Sequence, residues 1–180
     1  MTLRSESLSG LDDPFKALDE LDDEVVAAMR FNEGTTRADE IAALAAEHGV
    51  TEHQARHILD GTINGGSGTG GHVRDSPNIR IDSPVTDPVT GVVTTKISVW
   101  SPTAGRFKKK NAPTTFFPEE WSSDEVLTAV KSAFKNAQPH PTKAGQWTGV
   151  SDPIGDDTVG ITIDGYYDAT GTSWTTGWPA

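Results

Sequence analysis

The chain has 180 residues, enough for one ordinary domain with an extension, and 34% hydrophobic and 23% charged residues fit a globular protein. It contains no cysteine, which excludes disulfides, thiolate nucleophiles and cysteine metal sites. The net charge of −11 argues against a nucleic-acid enzyme until its distribution is seen: residues 1–60 carry 14 Asp/Glu and 5 Lys/Arg (net −9), and the remainder 12 and 10 (net −2).

No apolar run is long enough to span a bilayer, so no membrane insertion is expected, and no recognisable signal peptide opens the chain. Residues 1–10 lack periodicity and read as disordered. From Asp13 to Arg30, Phe15, Leu18, Leu21, Val25, Ala28 and Met29 recur at helical spacing with acids between, and Asn32-Glu33-Gly34 reads as a break. Thr36 then caps a second helix with Ile41, Leu44 and Ala45 as its stripe, ended by Gly49-Val50. Thr51 caps a third helix running through His57. Residues 1–50 are thus an acidic helical extension or linker, partly disordered, before a domain at 51–180.

Val92–Trp100 is β-branched and partly alternating and predicts a strand, entered by the turn Asp87-Pro88-Val89-Thr90-Gly91. Thr158–Tyr167 predicts another, and Asp168-Ala169-Thr170-Gly171 turns it into a last strand, Ser173–Trp178. One helix stands clear over about residues 122–137, with Ser122 and Glu125 as a capping box and Val126, Val130 and Phe134 stacked at i, i+4, i+8. The fold class is α+β: a helical N-terminal part followed by an antiparallel α+β domain.

Six of the eleven residues from Gly61 to Gly71 are glycine, and His57 and His72 stand on either side of them. Gly66 to Gly71 satisfies G-x-G-x-x-G, but a helix precedes it and Val73-Arg74-Asp75-Ser76-Pro77 follows, the reverse of a dinucleotide fold. No Gly-Lys-Ser/Thr follows either, so a phosphate-binding P-loop is excluded. Ala38–Leu59 has the spacing of a helix-turn-helix, which makes a DNA-binding regulator the first alternative; its second helix is poorly basic and its surroundings acidic, which favours a plain helical hairpin.

Two imidazoles joined by a side-chain-poor connector are the raw material of general acid and base work near neutral pH. His48, His53 and His140 lack that context and read as surface residues. Asp60 and Asp75 read as loop and turn residues, and a metal on His57 and His72 would lack a third ligand, so no metal site is expected. Lys108-Lys109-Lys110, with Thr114-Thr115-Phe116-Phe117-Pro118 after it, offers a cation for a phosphorane and hydroxyls for a base edge. The terminal Thr175-Thr176-Gly177-Trp178-Pro179 offers a stacking face for an unpaired base.

His57-Ile58-Leu59-Asp60-Gly61 through Gly70-Gly71-His72, the lysine run with Thr114 to Pro118, Trp121 opening a helix, and a terminal Thr-x-aromatic-Pro occur in this order in one family. From about residue 54 onward the sequence resembles the bacterial EndoU-type endoribonucleases, relatives of the uridylate-specific nucleases of nidoviruses and animals. The resemblance implies an antiparallel two-sheet EndoU-like fold and cleavage of RNA 3′ of uridine by its 2′-OH, leaving a 2′,3′-cyclic phosphate. No cofactor is required, and a divalent cation can stimulate. It implies that His72 is the base, His57 the acid, Lys110 the phosphorane cation (with Lys108 and Lys109 as alternatives), Thr114 a uracil contact and Thr176 the threonine of the terminal motif. Where the family stacks a tyrosine on the base, this chain has Trp178. It further implies a toxin domain secreted or delivered into the cytoplasm of a target cell, with RNA as substrate and a cognate immunity protein as partner. A catalytically inactive RNA- or protein-binding module on the same fold is the remaining alternative.

Overall fold

The computed structural model describes the backbone of residues 23–81, 84–90 and 92–180, and side chains within these from residue 36 onward. The expectation for residues 1–10, and most of that for residues 13–30, lies outside them. One compact unit spans Glu40–Ala180. Among the described residues the elements, in chain order, are α1 (Asp23–His48), α2 (Glu52–Leu59), β1 (Thr62–Asn64), β2 (Ser67–Thr69), β3 (Ile79–Ile81), β4 (Val85–Thr86), β5 (Val93–Thr95), β6 (Ile97–Ser101), β7 (Arg106–Lys109), β8 (Thr114–Phe116), α3 (Ser123–Lys135), β9 (Gln138–Pro139), β10 (Gln146–Val150), β11 (Thr162–Tyr167) and β12 (Trp174–Pro179).

Asn32-Glu33-Gly34 and Thr36 lie inside α1, so the expected break and cap are absent. One interior glycine disfavours a helix by only about 1 kcal/mol, which Ala, Glu and Arg neighbours offset. The helix stops where predicted. Gly49 takes a φ of +63°, its amide bonds to Ala46 O and the Val50 amide to Ala45 O, the two bonds of a Schellman end. Thr51 and Gln54 form the capping box of α2, and Ser122 and Glu125 that of α3.

The fold is α+β, but among the described residues the strands form four antiparallel sheets and not two: β1-β2, β3-β6-β7, β4-β5-β8 and β12-β11-β10-β9. The stretch read as one strand, Val92–Trp100, divides at Lys96; β5 pairs with β4 and β8, and β6 with β3 and β7. From Ile97 to Val99 three consecutive residues are buried, so this segment is covered on both faces and single-face alternation does not describe it. The strand expected from Thr158 starts only at Thr162, because β10 ends its pairing there.

Two cores result. Ile41, Ala45, Ala55, Ile58 and Leu59 of α1 and α2 pack with Val126, Leu127 and Val130 of α3 and with Trp147, Ile163 and Trp174. Full burial of each aliphatic side chain is worth about 2 kcal/mol. Gly149 lets α3 lie close to its sheet, since a Cβ there would fall 2.2 Å from Ala133 O. A second core of Ile79, Val93, Ile97, Val99 and Phe116 joins the two three-stranded sheets. With Ala55, Ile58 and Leu59 in the core and Gln54 donating to Trp174 O, α2 is packed in and does not stand out as a recognition helix. Among the described residues no helix is long and apolar enough to cross a membrane.

Candidate active site

The last carbonyls of a helix have no partner within it. In α2 two of them, His57 O and Ile58 O, accept the amides of Gly71 at 2.8 Å and His72 at 2.7 Å. The glycine-rich stretch makes this possible. It is a hairpin: Asn64 pairs with Ser67 across Gly65 and Gly66, both with positive φ as a two-residue primed turn needs. Gly70 has a φ of +66°, and a Cβ there would lie 2.0 Å from His57 O. The hairpin thereby returns the chain to the end of α2 and sets His72 beside it.

Each imidazole has one nitrogen engaged. His72 Nδ1 lies 2.7 Å from Thr115 O. A carbonyl only accepts, so Nδ1 carries the proton and Nε2 of the neutral ring keeps a free lone pair. His57 Nδ1 lies 3.0 Å from Thr62 Oγ1, which is 3.0 Å from Thr69 Oγ1. Either hydroxyl can turn, so this pair serves His57 in both protonation states.

Of the three lysines, Lys110 reaches the cleft. Its Nζ donates to Gly70 O at 3.0 Å and to Thr114 Oγ1 at 2.8 Å. Thr114 is 1% exposed; its hydroxyl donates to Gly71 O and lies 3.3 Å from His72 Nδ1. The hydroxyl expected to meet a base is thus already engaged in the cleft floor. His57, His72, Lys110, Thr114, Thr176 and Trp178 all line one cleft of about 1330 Å³. Trp178 lies nearly parallel to His72, with 6.4 Å between ring centroids. The Thr176 hydroxyl is buried with no hydrogen-bond partner.

Burial disfavours charge on all three ionisable groups. It lowers His57 to about 4, with His53 and Lys110 adding repulsion. It holds His72 well below 6.5, again with Lys110 nearby, and lowers Lys110 to about 8. At pH 7 both imidazoles are neutral and Lys110 is mostly an ammonium. The charge beside the two histidines is therefore the Lys110 ammonium, and an arriving phosphate would favour protonation of an imidazole.

Of the three histidines read as surface residues, His53 is one and the other two are placed otherwise. His53 is exposed but lines the cleft, 6.2 Å from the His57 ring. His48 and His140 are largely covered and contact Asp124 and Asp164, because helix and strand ends bury what their sequence positions leave undecided. Asp60, read as a loop residue, is 1% exposed and accepts from Ser76 Oγ and Asn78 Nδ2, anchoring the loop after His72. Among the described residues no three His, Asp or Glu side chains gather as a metal set. Sequence reasoning missed Thr62, Thr69 and the carbonyl of Thr115 as partners of the histidines; the five-residue spacing from His57 to Thr62 gives no signal without the hairpin.

No curated protein matches the chain. The sequence model of the bacterial EndoU nucleases does, over residues 51–180, a span that contains both histidines, the hairpin between them, the Lys110–Thr114 bond and the closing strand with Trp178. The chain belongs to the bacterial EndoU nuclease family.

Proposed function

We propose that the protein is an endoribonuclease that cleaves RNA 3′ of uridine and leaves a 2′,3′-cyclic phosphate. His72 Nε2 takes the proton of the uridine 2′-OH as O2′ attacks phosphorus. The Lys110 ammonium offsets charge on the phosphorane, in a cleft where burial strengthens the interaction. His57, charged once the phosphate is beside it, gives its Nε2 proton to the departing 5′-oxygen. Trp178 stacks on the base. The unpaired Thr176 hydroxyl meets the uracil edge, and Thr114 assists from the cleft floor by fixing Lys110. The observation that carries this reading is the bond from His72 Nδ1 to Thr115 O, which gives a neutral imidazole the tautomer a base requires.

Incubating the protein with an oligoribonucleotide holding one uridine tests it. Cleavage at that residue is expected with and without chelator, with added divalent cation raising the rate, and a cyclic phosphate on the 5′ product. His57→Ala and His72→Ala should each lower kcat at least 100-fold. A linear 3′-phosphate formed directly, or cleavage that survives in both variants, would overturn the assignment. We read residues 51–180 as a delivered toxin domain acting in a target cell's cytoplasm, held in check by an immunity protein. That reading rests on the family and on a cysteine-free sequence suited to passage between compartments. Inducing the wild-type chain in a bacterial cytoplasm should arrest growth and inducing His72→Ala should not; equal growth would sink it.

A further inference from the structure

The cleft continues past Trp178 along one face of the four-stranded sheet. Asp164 is paired with Trp178 and Tyr166 with Thr176, and residues two apart share a face of a strand. Tyr166 is 46% exposed and its ring centroid lies 5.3 Å from that of Trp178, tilted by 52°. An aromatic side chain left half in solvent on a cleft wall, beside another aromatic, is a second stacking surface. Below it Asp164 is buried, and its Oδ2 lies 3.5 Å from Lys143 Nζ and 3.4 Å from His140 Nε2. Lys143 itself is half exposed, so the carboxylate holds an ammonium at the cleft wall where a phosphate can reach it. The hydroxyl of Thr176, which is paired with Tyr166 and lines the same cleft, is buried without a partner and marks this wall as built for a ligand.

His53 lies beside His57, and Trp178 lies beside both His72 and Tyr166. In the proposed reaction the leaving group is beside His57, whereas Tyr166 adjoins Trp178, the ring proposed to stack on the cleaved uridine. We infer that the cleft holds a second nucleotide subsite, in which the base 5′ of the cleaved uridine stacks on Tyr166 and the phosphate joining the two nucleotides contacts Lys143. The inference rests on the RNA-cleavage reading for its polarity, and stacking makes the subsite tolerant of base identity.

The test compares the dinucleotide UpA with ApUpA and with UpApA as substrates of the full chain. It also compares binding of their 2′-O-methyl analogues, which cannot be cleaved. Wild-type kcat/KM is expected to be about tenfold higher for ApUpA than for UpA. That ratio should approach one in Tyr166→Ala and return in Tyr166→Phe, which keeps the ring. Lys143→Gln should make binding of 2′-O-methyl ApUpA less salt-dependent, by about one phosphate contact. A wild-type ratio near one, a ratio unmoved by Tyr166→Ala, or a gain from UpApA instead would each overturn the subsite. If no substrate is cut yet the 5′-extended analogue binds more tightly through Tyr166, the cleavage reading fails and the subsite stands.

Discussion

Gly70 is the residue on which the pairing of the two histidines turns. Its positive φ lies where an L side chain is disfavoured by about 1–2 kcal/mol, and the missing Cβ leaves room for His57 O. Gly70→Ala should therefore destabilise the protein by about 2 kcal/mol or more and lower activity further than folding alone explains; urea denaturation beside a uridine-cleavage assay separates the two. Lys110 works in the opposite sense. Its burial lowers it to about 8 from an ordinary value near 10.5, so holding the charge at pH 7 opposes folding. Lys110→Met is expected to abolish cleavage while leaving stability unchanged or raising it by about 1 kcal/mol. A large loss of stability would show that its bonds to Gly70 and Thr114 outweigh the burial of its charge. His57 gives a pH signature. The folded value of about 4 lies below the 6.5 of the unfolded chain, so between those pH values the unfolded state binds more protons and stability rises with pH. The difference amounts to about 3 kcal/mol, and the gain in stability from pH 4 to pH 7 should shrink by about that much in His57→Asn.

The hairpin β1–β2 is the element that joins sequence to chemistry, and the sequence alone did not reveal it as paired strands. Thr62-Ile63-Asn64 and Ser67-Gly68-Thr69 are three residues each, too short for alternation to register, and their glycines suppress strand propensity. What the residues did convey was two imidazoles joined by a side-chain-poor connector, whose glycines allow the positive φ angles that a tight return needs. Helices declared themselves better: the capping boxes at Thr51 and Ser122 are local, and local chemistry survives folding unchanged. The division at Lys96 and the late start of β11 depend on which strands lie alongside, information that no window of sequence holds. The hairpin also brings Thr62 and Thr69 to His57. Thr62→Val should lower kcat about tenfold or more with little change in KM and move the His57 limb of the pH profile, as loss of a partner orienting an imidazole does. Thr62→Ser should restore both; a change confined to KM would instead place Thr62 in substrate binding.

Across the whole molecule the acidity that first argued against an RNA substrate is unevenly placed. Residues 1–39 hold 10 Asp/Glu and 4 Lys/Arg, a net of −6, which leaves −5 for residues 40–180. Within the cleft the lysines Lys110 and Lys143 stand with Asp164 and Asp168, and the charge next to the two histidines is that of Lys110. A polyanion approaching this protein is repelled at long range and attracted at short range, and salt screens the first effect more than the second. The boundary for separating the two contributions follows from packing: Ile41 and Ala45 are buried in the core, so removing residues 1–50 would open it, whereas removing 1–39 leaves the compact unit that starts at Glu40 whole. That shorter deletion should tighten binding of a non-cleavable oligoribonucleotide several-fold at about 20 mM salt and have little effect near 0.3 M, where the screening length falls below about 6 Å. Equal affinity at low salt would mean that the acidic segment does not act on RNA through its charge.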